Sequence, residues 1–124
     1  MNVIQSANAP AAVGPYSQGI DCGEFVFFSG QIPLVPETGL LAGDTIEAQA
    51  RQMFQNIGAV LKEAGLDFSN VIKTTVFLTD LANFAALNEI YAKHFTEPYP
   101  ARSCVEVSAL PKGALVECEV IAKR

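Results

Sequence analysis

The chain has 124 residues and a formal net charge of -5, a length that supports one domain around one core. Half of its residues are hydrophobic and 17% are charged, the composition of a buried globular chain rather than a disordered one. Its eight Lys and Arg are scattered, with no run beyond Lys123-Arg124, which argues against a general nucleic-acid binder.

Residues 2–5 carry Val3 and Ile4 and read as a short strand. Pro10, Gly14 and Pro15 then mark an irregular segment. Residues 16–20 and 25–29 read as two strands of a hairpin, with turn chemistry at Asp21-Cys22-Gly23-Glu24 between them. The stretch from Ser29-Gly30-Gln31 to Gly43 is rich in Pro and Gly and reads as a loop. Gly30 after a strand permits close approach to the backbone.

Asp44-Thr45-Ile46-Glu47 has capping-box spacing. Apolar residues at 46, 50, 53, 54, 57, 61 and 64 then form a helical stripe, and Gly65 is placed as its C-terminal cap. Gln49, Gln52, Gln55, Lys62 and Glu63 would be its solvent side. Residues 71–79 are rich in β-branched side chains and read as a strand. A second helix is expected over 83–95, with Phe84, Leu87, Tyr91 and Phe95 as its stripe and Asn88 beside it. His94, the only histidine, falls in the last turn and reads as structural or surface. It has no Cys or His neighbours to build a metal site.

After Glu97-Pro98-Tyr99-Pro100 comes the most informative stretch, residues 101–107. Read as a strand, it alternates: Ser103, Val105 and Val107 would face the core, and Arg102, Cys104 and Glu106 the opposite side. A guanidinium at a strand end is a fork matched to a carboxylate or phosphate. On composition alone a structural ion pair or a solvated side chain is the commoner fate. Pro111-Lys112-Gly113 reads as the turn of a final hairpin. Its second arm would turn Val116, Cys118, Val120 and Ala122 to one side and Glu117, Glu119 and Ile121 to the other.

Pairing Ala109 with Ala114 would set Glu106 opposite Glu117 and Arg102 opposite Ile121. Arg102 and Glu117 would then share a face, on the order of 13 Å apart. Either a bulge or a neighbouring subunit must bring them to one small substrate. In this register Cys104 and Cys118 face apart and form no disulfide. The order of elements predicts an α+β fold: a mostly antiparallel, six-stranded sheet with two helices on one face. Its other, partly apolar face calls for oligomerisation. The three cysteines are far apart and form no CxxC, in keeping with a reduced compartment. No membrane span or signal peptide is visible, so a cytoplasmic protein is expected.

Six stretches occur in order: Gly14–Gln18, Ser29–Pro33, Lys73–Phe77, Asn88–Tyr91, Pro100–Val107, and Leu110–Lys112 followed by Val116-Glu117. Together they resemble the RidA family, the reactive enamine/imine intermediate deaminases, over nearly the whole chain. The resemblance implies a chorismate-mutase-like fold and a homotrimer with sites between subunits. It implies hydrolysis of 2-aminoacrylate and related 2-imino acids to 2-oxo acids and ammonia, without cofactor or metal. Such intermediates come from pyridoxal-phosphate enzymes, to which the link would be functional rather than physical.

Carried onto these residues, Arg102 would clamp the substrate carboxylate, supported by the Cys104 backbone N–H. Glu117 would position water, and Tyr16 and Ser29 would orient the imine nitrogen or relay protons. Gly30, Asn88 and Pro111 would line the pocket. The chain departs from the family's usual pattern in a short link from Phe95 to Pro100, in Cys118, and in Ser108-Ala109. None of these removes a group named above. Some relatives have been described as ribonucleases or translation inhibitors, a role that the net charge and the lone histidine disfavour. A non-catalytic carboxylate-binding trimer, regulatory or chaperone-like, is the other alternative.

Overall fold

A computed structural model describes residues 1–124. Six strands form one sheet: β1 (Asn2–Ile4), β2 (Gly19–Asp21), β3 (Phe25–Phe28), β4 (Val71–Leu78), β5 (Ala101–Glu106) and β6 (Val116–Lys123). Two helices, α1 (Ile46–Glu63) and α2 (Phe84–Tyr91), complete the α+β fold. The strand order is β1-β2-β3-β6-β4-β5. β4 and β5 run parallel and every other pairing is antiparallel, so the sheet is mixed.

The final hairpin does not form, because β4 lies between β5 and β6. The reason is burial. β6 alternates strictly, with Val116, Cys118, Val120 and Ala122 all at 2% exposure or less. Such a strand gains most in the middle of the sheet, covered by a helix. β5 carries polar groups at every second position and takes the edge, where water solvates them. Its connection from β4 through α2 is then a βαβ crossover, and β3-α1-β4 is a split one around β6.

Three expectations change with this order. Glu106 does not oppose Glu117. Glu117 pairs with Phe77 and Glu106 with Leu78. Cys104 and Cys118 share a face, on either side of Val76, with β4 between them, and all three cysteines are free thiols. Finally, β5 is turned over. Cys104 packs against the core, whereas Val105 is 43% exposed.

α1 is capped by Thr45, not Asp44: the Thr45 hydroxyl accepts from the Ala48 N–H at 3.2 Å. It ends in a Schellman turn, with Leu66 N–H donating to Leu61 O and Gly65, at φ +75°, donating to Lys62 O. Its stripe of Met53, Phe54, Ile57 and Leu61 packs on the sheet and on Leu87, Ile90 and Tyr91 of α2. His94 stacks on the Phe54 ring at 4.6 Å, a structural role.

Gln49, expected on the solvent side, is buried. Its amide donates to Gly43 O and its carbonyl accepts from Leu115 N–H. Asn56, two turns further along the same stripe, is fully buried and donates to Ile32 O and Leu34 O. These two side chains tie the 31–43 loop to the helix because its buried carbonyls have no sheet partner there. No helix is long and apolar enough to cross a membrane.

Candidate active site

The residues singled out in the sequence fall into two groups. The first surrounds a cleft of about 680 Å³ whose lining includes Tyr16, Ser29, Gly30, Pro111 and Glu117. Past the end of β3 the chain runs on beside β6, where Gln31 and Cys118 exchange both backbone hydrogen bonds, at 2.9 and 3.2 Å. This brings Gly30 under the Glu117 side chain. A β-carbon at Gly30 would overlap Glu117 Oε1 and stand 2.9 Å from its carboxyl carbon. The glycine is the space in which the carboxylate sits.

Burial, and then the like charge of Glu119 two residues on, push the Glu117 carboxyl above its ordinary range. Ser29 is fixed at both ends. Its N–H donates to Gln18 O at 2.9 Å and its hydroxyl donates to Ser17 O at 2.6 Å. With that proton committed, Ser29 Oγ offers lone pairs to the cleft. Tyr16 is half exposed at the cleft wall. Gln18 also lines the cleft, and its side chain accepts from Ser6 N–H and donates to the carbonyls of Ser6 and Pro10. Lys112, the only non-glycine residue with positive φ, stands at the rim beside Pro111.

The second group lies at the β5 edge, on the helical face. Arg102 Nη1 donates to Asn88 Oδ1 at 2.6 Å. The guanidinium also lies over the rings of Tyr91, at 4.7 Å, and Phe84, at 5.3 Å. The two ion pairs in the chain are Lys123–Glu24 and Arg124–Asp21. Arg102 therefore has no carboxylate partner. Cys104 is half-buried, and burial pushes its thiol up despite nearby Arg102, which keeps it protonated. Val107 N–H donates to Leu78 O at 2.8 Å. By the alternation of a parallel ladder, the N–H of Cys104 points away from β4, along the open edge.

The two groups do not meet within one chain. Arg102 shares a row with Thr74 and Val120, on the helical face. Glu117 shares one with Phe77, on the other face. Two strand spacings, about 9.5 Å, and three residues, about 10 Å, also separate them. Sequence reasoning missed Gln18, Lys112 and the two rings under Arg102. Phe84, Asn88 and Tyr91 recur at helical spacing. That spacing was the available signal for one face of α2 pointing at Arg102.

Residues 6–124 match the family described as Endoribonuclease L-PSP. A relative from Salmonella typhimurium, named 2-iminobutanoate/2-iminopropanoate deaminase, is 52% identical over 98% of this chain and 96% of its own. The chain belongs to the RidA family. Another member, the chloroplastic Reactive Intermediate Deaminase A of Arabidopsis thaliana, is 50% identical over 97% of this chain, which spans 64% of that longer protein. The crystal structure of RidA from Psychrobacter sp. superposes with a TM-score of 0.96 at 48% identity, covering all of both chains. RidA-family likeness thus extends over the sheet, the cleft and the β5 edge together.

Proposed function

We propose that the protein hydrolyses reactive 2-imino acids, formed from enamines such as 2-aminoacrylate, to 2-oxo acids and ammonia. The observation that carries this reading is Arg102. Its guanidinium is held by a neutral amide and two aromatic faces, with no carboxylate to neutralise it. Such a charge is a ready receptor for a substrate carboxylate, and the outward Cys104 N–H is a second donor for it. The family and the name of the Salmonella relative support the reaction class.

Glu117 positions the attacking water and takes up its proton as oxygen adds to the imine carbon. Ser29 Oγ accepts from the imine N–H, and Tyr16 and Pro111 wall the substrate. Glu117 then returns its proton to the amino nitrogen and takes the hydroxyl proton as ammonia leaves, giving the 2-oxo acid. A protonated imine is already electrophilic, so positioning and one placed base are sufficient equipment.

Because Arg102 and Glu117 lie on opposite faces of one sheet, the reading requires the Arg102 group of one copy to meet the Glu117 group of another. A homotrimer meets that requirement. The exposed Phe27 and Val105 and the half-buried Ile121, on the uncovered sheet face, supply apolar surface for association.

The test generates 2-aminoacrylate in situ and follows 2-oxo acid and ammonia release. Acceleration by wild type, lost in an Arg102→Ala protein of unchanged association state, is the expected result. Equal rates with and without protein contradict the reading, and 2-oxobutanoate binding without turnover points instead to a carboxylate-binding regulator.

A further inference from the structure

Arg102 and its surroundings form a closed circuit. Arg102 on β5 pairs across the ladder with Thr74 on β4. Thr74 is fully buried and its hydroxyl lies 2.8 Å from the Tyr91 hydroxyl. The Tyr91 ring, itself 7% exposed, then turns its face to the Arg102 guanidinium at 4.7 Å. Asn88, three residues before Tyr91, takes one of the guanidinium N–H groups. Phe54 and Phe95 pack on Tyr91 from behind, with ring centroids 5.9 and 4.4 Å away.

A long side chain on an edge strand normally samples many rotamers. Here two features restrict it without neutralising it. An aromatic face attracts a cation and supplies no acceptor oxygen that would occupy the fork. The ring is kept from tilting away by Phe54 and Phe95 packed on it, and its hydroxyl bond to Thr74, the strand neighbour of Arg102, adds to that restraint. A carboxylate in the same place would hold the guanidinium equally well, and would compete with the substrate.

We propose that Tyr91 is a positioning residue: its ring face, held by the packing of Phe54 and Phe95, keeps the Arg102 fork open for a substrate carboxylate. The inference rests on the reading of Arg102 as the carboxylate receptor. Tyr91 touches no reacting atom, so its contribution is to binding the carboxylate equally in ground and transition states. It therefore belongs in KM and not in kcat.

The test compares wild type, Tyr91→Phe, Tyr91→Leu, and a protein carrying pentafluorophenylalanine at position 91. The fluorinated ring keeps the shape of phenylalanine and inverts the charge of its face. Two quantities are measured: KM and kcat for imine hydrolysis, and Kd for 2-oxobutanoate by calorimetry. Tyr91→Phe should stay within about twofold of wild type in both KM and Kd. Tyr91→Leu and the fluorinated protein should raise both by about fivefold, the effect of losing one cation–π contact near a surface, with kcat unchanged.

Equal Kd values for the phenylalanine and pentafluorophenylalanine proteins would overturn the proposal, since packing alone would then explain the position. So would a loss confined to kcat, or no 2-oxobutanoate binding by wild type. If wild type binds 2-oxobutanoate with the expected ranking but turns over no imine, the deaminase reading fails and the role of Tyr91 stands.

Discussion

Gly30 and Glu117 occupy one space: the carboxylate of one fills the volume that a β-carbon on the other would take. They are far apart in sequence and meet because the chain after β3 stays beside β6, through the Gln31–Cys118 bridge. Gly30→Ala should therefore push Glu117 off the position from which, in the proposed reaction, it holds water. A displacement of this size near reacting atoms costs about 10²-fold in kcat. Thermal unfolding should change little, because the carboxylate can swing into the open cleft. Retention of full activity by Gly30→Ala would remove Glu117 from the chemistry.

The pH–rate profile reports the same carboxylate. Burial and Glu119 both hold Glu117 above the ordinary carboxylate range. In the proposed reaction its ionised form takes a proton from water, so activity should be lost as pH falls through this raised value. Glu119→Gln removes a like charge that raises the Glu117 pKa. The acid limb of kcat/KM should consequently move to lower pH, with the plateau rate preserved. A limb that stays in place would mean that another group controls it.

Asn56 offers a test of how the cleft wall is held. It is fully buried on α1 and donates to the carbonyls of Ile32 and Leu34 at 3.1 and 2.9 Å. Asn56→Ala strands both carbonyls in the interior. The expected loss is about 1–3 kcal/mol of stability, read from urea unfolding. A change of less than a few tenths would mean that water or loop movement satisfies them.

Much of the fold was legible in residue periodicity. The α1 stripe and the strict alternation of β6 state their elements and their buried faces directly. The strand order was not, because a Pro-Lys-Gly turn between two strands looks the same whether they pair or straddle a third. What decides is non-local: β6 has too much apolar surface for a place beside an edge strand alone. The facing of β5 was misread for a related reason. Val105 reads as core by residue type, but the helices cover only one face of the sheet, and Cys104 takes that face.

The same limit applies to polar side chains. Gln49 and Asn56 are solvent-side residues by composition, and they are buried because the loop packed on α1 brings unpaired carbonyls to them. At the site, Arg102, Glu117, Ser29 and Gly30 were visible through their motifs. Their separation into two groups on opposite faces was not, since it follows from the insertion of β4. Tyr91 looked like one more apolar contact, and only the ring's face beneath a guanidinium shows what else it supports.

The measurement that bears most directly on the account is complementation between two inactive proteins. Arg102→Ala and Glu117→Gln are each prepared alone, then unfolded together and refolded as mixed assemblies, with ammonia release from in situ 2-aminoacrylate as the readout. If each site joins Arg102 of one copy to Glu117 of another, some sites in the mixture carry both native residues. Activity should then return in the mixture and in neither parent. A mixed assembly that forms and remains as inactive as its parents would contradict a site shared between chains.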